Sequence, residues 1–162
     1  MKWAATPGGR SAFPVSGVDV FPTLCAMAGT KAPKHQAVDG RDLTPILTGK
    51  AKAFSGGRAL FWHFPAYLDS YRGITDEQRD PLFRTRPCSI IRRGPWKLHQ
   101  YFEDDALELY NLEEDIGETV NLAESNPEKA TALLLELRNW REGIGAPVPE
   151  KKEKAEETPG KR

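Results

Sequence analysis

Apolar positions along the chain change their spacing several times, and each change marks a boundary between elements. Phe21, Leu24, Cys25 and Ala28 recur at helical spacing, which predicts a helix over 19–28 with one apolar face. Asp19 stands where an N-cap belongs, Pro22 falls in the first turn, and Gly29 suits the left-handed position that ends a helix. A loop with Pro33 and Gly40 leads to a short helical turn over 42–48, stopped by Gly49. At 58–64 the pattern becomes short and aromatic-rich, with Leu60, Phe61, Trp62, His63 and Phe64 running into Pro65, and predicts a strand. Residues 66–86 are polar and read as a long loop, of a length that is uncommon in compact domains and often functional. Three strand-like runs follow at 88–92, 96–102 and 107–110. They are joined by Arg93-Gly94-Pro95 and by 103–106, both suited to hairpin connections. Asn126-Pro127 opens the last element, in which Ala130, Leu133, Leu134, Leu137, Trp140 and Ile144 form one helical stripe before Gly145. The expected fold is α+β, an antiparallel meander of three to four strands packed by a long C-terminal helix.

Residues 1–17 read as a leading loop and 147–162, rich in alternating Lys and Glu, as a disordered tail. With 23 basic and 23 acidic residues among 162, the charge balance lacks the basic excess of a general nucleic-acid binder. Nothing approaches the roughly 20 consecutive apolar residues of a membrane-spanning helix. The first ten residues have no apolar core of the kind a secretory leader needs, so none is expected here. Cys25 and Cys88 are far apart, which argues against a disulfide framework or a structural zinc site.

Familiar catalytic patterns are missing. There is no G-x-S-x-G elbow, no H-E-x-x-H, and no phosphate-binding loop at Gly49-Lys50, where Thr44 stands in place of the required glycine. His35, His63 and His99 have no metal-ligand spacing, and the acids from Glu103 to Glu118 do not match a calcium loop. They are expected to be solvated turn charges, and Cys25 a core residue. His63 stands out. A titratable ring at the end of an aromatic strand, followed by Tyr67, Asp69, Tyr71 and Arg72, could line a sugar or anion pocket. The alternative reading of His63 is a hydrogen-bonded histidine at a sheet edge; His99, mid-strand, is expected to be structural.

Several stretches together resemble the formylglycine-dependent, arylsulfatase-like sulfatases. Val15-Ser16-Gly17-Val18-Asp19-Val20-Phe21-Pro22-Thr23-Leu24 with Ala28-Gly29 is similar to that family's VSxVDxxPTLLxLAG. Asp39-Gly40-Arg41-Asp42-Leu43-Thr44-Pro45-Ile46-Leu47 resembles DGxSLxPLL, and Leu60-Phe61-Trp62-His63-Phe64-Pro65 resembles LFWHYP. Ile91-Arg92-Arg93-Gly94-Pro95-Trp96-Lys97-Leu98 is similar to IRxGxWKLI. Leu107-Glu108-Leu109-Tyr110-Asn111-Leu112 with Asp115, Glu118 and Asn121-Leu122-Ala123 is similar to xELYDLxxDxxExxNLA. The blocks fall in family order between about residues 13 and 145, and all belong to the family's C-terminal region.

The resemblance implies an organisation. Residues 1–50 would be the tail end of an alkaline-phosphatase-like α/β catalytic domain, 51–146 the C-terminal subdomain, and 147–162 the tail. It implies hydrolysis of sulfate esters, on a sulfated carbohydrate or an aryl sulfate, by a formylglycine made from a C/S-x-P-x-R motif with a calcium ion holding the sulfate. Neither the motif nor the metal ligands are found here, so no catalytic and no metal-binding residue is assigned. Cys88-Ser89-Ile90-Ile91-Arg92 has Ile90 where proline belongs, and aligns with a strand block instead. Calcium and formylglycine would belong to a preceding catalytic domain, the implied partner. His63 is the one position expected to touch substrate, although Ala66 stands where some relatives have a second histidine. Family members are commonly periplasmic, extracellular or lysosomal. The other class of function to weigh is a non-catalytic binding module that keeps the fold.

Overall fold

A computed structural model describes residues 10–51, 57–69 and 83–149. Two compact units divide the chain between Leu60 and Phe61.

In the first unit a 3-10 turn over Gly17–Asp19 runs into helix α1, Val20–Met27, and α2 follows at Thr44–Leu47. Asp19 does occupy the N-cap position of α1, but its carboxylate caps nothing there. The carboxylate is wholly buried and accepts four hydrogen bonds. Two come from the backbone N–H groups of Ser16 and Arg41, both at 2.8 Å. The other two come from the Arg58 guanidinium, at 2.5 and 2.7 Å. Thr23 extends the knot, donating to the Asp19 carbonyl at 2.6 Å while accepting the Leu43 N–H at 3.0 Å. These bonds need the 39–41 segment to press against the start of α1. A Cβ on Gly40 would lie 1.9 Å from the Val18 carbonyl oxygen, so only glycine fits. The apolar side chains of Val15, Val18, Val20, Phe21 and Leu24 stay exposed within this unit.

Strand β1, Ala59–Phe64, forms one edge of a four-stranded sheet. The other strands are β4 Cys88–Arg93, β5 Trp96–Tyr101 and β6 Leu107–Asn111, in the order β1-β4-β5-β6. The loop expected over 66–86 begins and ends in a short antiparallel pair, β2 Leu68–Asp69 with β3 Phe83–Thr85. Its middle, with Tyr71 and Arg72, lies outside the described residues. The meander is as expected, with antiparallel β4–β5 and β5–β6 pairs. Their register sets Ile91 opposite Leu98 and Leu98 opposite Leu109. These three residues have no exposed surface. Alternation along each strand puts them on one face, and helix α3, Pro127–Ile144, lies against β4 and β5. Ala130, Leu133 and Leu137 are its buried apolar residues. Trp140 stacks on Phe61 of β1 with centroids 4.7 Å apart.

The last turn of α3 differs from the sequence pattern. Ile144 is exposed, and Arg141 is buried in its place, with Nη1 donating to Gln100 at 2.8 Å and the guanidinium 5.1 Å from the centre of the Phe102 ring. Seven residues past Leu137, Ile144 has drifted off the face that meets the sheet; Arg141, four past, remains on it. Gly145, at φ +63°, ends the helix as anticipated.

The acids between β6 and α3 have structural work. Asp115 accepts the N–H groups of Thr119 and Val120 at 2.7 and 2.9 Å, which depresses its pKa. Asn121 covers the free edge of β6, accepting the Leu109 N–H at 3.0 Å and donating to the Leu107 carbonyl at 3.1 Å. Leu122 adds a backbone bond to the Leu109 carbonyl at 2.8 Å. Residues 150–162 of the expected tail lie outside the described residues. Among the described residues, no helix is long and apolar enough to cross a membrane.

Candidate functional site around His63

His63 sits near the end of β1, and both of its ring nitrogens are engaged. Nδ1 is 2.8 Å from the Ser89 hydroxyl, and Nε2 is 2.8 Å from the carbonyl oxygen of Pro147. A carbonyl can only accept, so Nε2 donates to Pro147, and in the neutral ring Nδ1 then accepts from the Ser89 hydroxyl. The ring also meets Phe102 edge-on, with centroids 5.7 Å apart. Ser89 has no exposed surface, and its register partner Gln100 on β5 is almost fully buried. Arg141 approaches Gln100 and Phe102 from the helix. The result is a polar nest of His63, Ser89, Gln100 and Arg141 at one end of an otherwise apolar interface.

The residues expected to share a pocket with His63 do not all join it. The Tyr67 hydroxyl donates to Glu103 at 2.5 Å, and Arg86 pairs with the same carboxylate, so this trio ties β2 and β3 to the β5–β6 turn. The bond to Glu103 raises the Tyr67 pKa. The side chain of Asp69, like Tyr71 and Arg72, is outside the described residues. Sequence reasoning missed Ser89, Gln100 and Arg141. The one available signal was a run of polar residues at strand positions that alternation assigns to the buried face.

A second polar cluster lies on the opposite face of the sheet. Glu108 accepts hydrogen bonds from the hydroxyls of Tyr101 and Tyr110 at 2.9 and 3.1 Å; burial first, and then the Glu108 charge and these bonds, raise both tyrosine pKa values. Glu118 takes two bonds from Lys97, at 2.6 and 2.8 Å, and stands 3.2 Å from His99 Nε2. His99, opposite Glu108, is held below the usual histidine range by burial first and then by the Lys97 charge, against the pull of Glu118 and Glu108. A histidine buried neutral takes up its proton more readily in the unfolded chain. Stability should therefore be full above about pH 6.5 and decline as pH falls below it. His99→Gln is expected to flatten that decline in urea titrations run from pH 7.5 to 5; an unchanged slope would refute the assignment.

Neither cluster suits the groups that the sequence resemblance implies. Among the described residues, no three His, Cys, Asp or Glu side chains converge closely enough to hold a metal ion. Cys88 is buried within β4, and burial pushes its thiol pKa up, opposed in part by a hydrogen bond from Thr85. A buried thiol of raised pKa paired into a sheet is a packing residue, so no chemical step is derived through it or through calcium.

No protein-family model matches the chain. A sulfatase from Formosa agariphila is 35% identical over 133 residues, covering 77% of this chain and 22% of the relative. A solved 2-O GAG sulfatase superposes with a TM-score of 0.56 at 25% identity, over 79% of this chain and 25% of that one. A phosphonate monoester hydrolase from Silicibacter pomeroyi does so with a TM-score of 0.57 at 26% identity, over 86% and 27%. The sheet and helix are thus a fold found in both of these solved hydrolases. The chain belongs to the sulfatase family, and the part of the family it matches is the C-terminal region. It spans about a quarter of the length of these relatives.

Proposed function

We propose that these residues form the C-terminal portion of a sulfuric ester hydrolase acting on a sulfated carbohydrate. In this reading they pack against a catalytic domain and form one wall of its substrate pocket, with His63 among the contacts. The observation that carries it is the 35% identity to a sulfatase over 77% of this chain but only 22% of the relative. The phosphonate hydrolase likeness means that fold alone does not choose between sulfur and phosphorus; the sequence relative favours sulfur. Val15, Val18, Val20, Phe21 and Leu24, apolar and exposed, support burial against further polypeptide, since such a patch marks an interaction surface. The nucleophile and the calcium ligands of the enzyme would come from that domain.

The purified chain is expected to show no turnover of an aryl sulfate at any calcium concentration. Turnover that survives Cys88→Ala would overturn the assignment of the chemistry to other polypeptide. Sequencing the DNA upstream of the Met1 codon separates this reading from a free-standing binding module. An in-frame C-x-P-x-R supports the enzyme, and its absence the module.

A further inference from the structure

The carbonyl of Pro147 occupies the place that a ligand oxygen would take at His63. After Gly145 the chain folds back through the Ala146 N–H, which donates to the Arg141 carbonyl at 3.0 Å. Proline has no N–H to offer, and Val148 is exposed. Among the described residues, the bond from His63 Nε2 is what fastens this segment to the sheet beyond Ala146.

The residue whose carbonyl holds the Ala146 N–H carries a cation without a carboxylate. Arg141 is 8% exposed, and among the described residues no acid stands within ion-pair distance of it. Glu142 and Asp105 act on it only at longer range. A buried guanidinium usually takes an acid as partner, because desolvating the charge is costly. Here the offsets are the Gln100 amide oxygen, the Phe102 ring and the carbonyl end of α3. His63 and Arg141 both contact the Phe102 ring, which sets an N–H donor and a positive charge at the same end of the sheet.

We propose that His63 and Arg141 form an anion site for a tetrahedral oxyanion such as sulfate, and that residues 146–148 are a strap that fills it from within. The proposal rests on the reading above in assigning His63 to ligand contact, but it needs no catalytic domain to be tested. A sulfate oxygen and the Pro147 carbonyl compete for one proton on Nε2, so binding requires the strap to leave. An anion gains more from that proton than a neutral carbonyl does, and it also gains the Arg141 charge.

The test is a titration with sodium sulfate against sodium chloride at matched ionic strength, followed by side-chain nitrogen NMR of His63 and Arg141. It uses the full chain, a chain ending at Ala146, and the shortened chain carrying His63→Gln. Sulfate should shift both side chains in the shortened chain, with at least tenfold weaker apparent affinity in the full chain and loss of binding with His63→Gln. Equal affinity in the full and shortened chains overturns the strap. No sulfate-specific shift in a shortened chain that keeps its dispersed spectrum overturns the site. Should the shortened chain not fold, the full chain decides. High sulfate must then move the Ala146 and Val148 amides together with His63 Nε2, and their indifference refutes the proposal. The upstream DNA and the turnover assay test the enzymatic reading separately.

Discussion

Replacing Arg58 by methionine should cost the first unit about 3–5 kcal/mol, the range for removing one partner of a buried ion pair. Asp19 has no exposed surface, and the Arg58 side chain is 5% exposed, so water cannot replace the lost guanidinium. Two backbone N–H groups would remain on a carboxylate that still bears its full charge. The expected observation is a collapse of amide-exchange protection at Ser16, Arg41 and α1, with β4 and β5 unchanged. Asp19→Asn together with Arg58→Met should cost less than the two single changes added, because the double variant buries no unpaired charge. Additive costs would show that the pair is not coupled. Acid should act on the same bond. Burial alone would raise the Asp19 pKa, but the hydrogen bonds from Arg58, Arg41 and Ser16 outweigh it, and the value falls below the ordinary 3.8. A carboxylate depressed on folding contributes stability that is complete above its unfolded pKa and disappears as pH drops through the folded one. The first unit should therefore weaken only below about pH 4, and the Asp19→Asn variant should lose that acid transition.

That ion pair also marks where sequence reading stops. The pattern around Asp19 identifies a helix start correctly, since local spacing and Pro22 suffice for that. The destination of the carboxylate depends on partners 22 and 39 residues away, and no periodicity encodes them. The meander is legible because its turns are short and Gly94 and the 103–106 run announce them; register then follows from hairpin length. The partners of His63 are harder to reach. Ser89 is 26 residues distant and Pro147 is 84. The alternation of β1 predicts a side for the ring but not what meets it. Asn121, Asp115 and Glu118 were visible as members of a family block, while their tasks, closing the edge of β6 and holding Lys97, needed coordinates.

The helix face supplies the second large effect, and it separates packing from pattern. Leu137 and Ile144 both lie on the stripe read from sequence, yet Leu137 has no exposed surface and Ile144 is 57% exposed. Leu137→Ala removes three methyl or methylene equivalents from an interface built on the Ile91–Leu98–Leu109 ladder, and should cost about 3 kcal/mol of stability in the second unit. Ile144→Ala should change it by no more than about 0.5 kcal/mol, as exposed positions do. Both are read from urea unfolding followed by far-ultraviolet circular dichroism. The slope of free energy against urea should be the same in both variants if each still folds as one unit. Comparable losses at the two positions would mean that the last turn of α3 packs through Ile144. The burial of Arg141 beside Gln100, on which the anion site depends, would then be wrong as well.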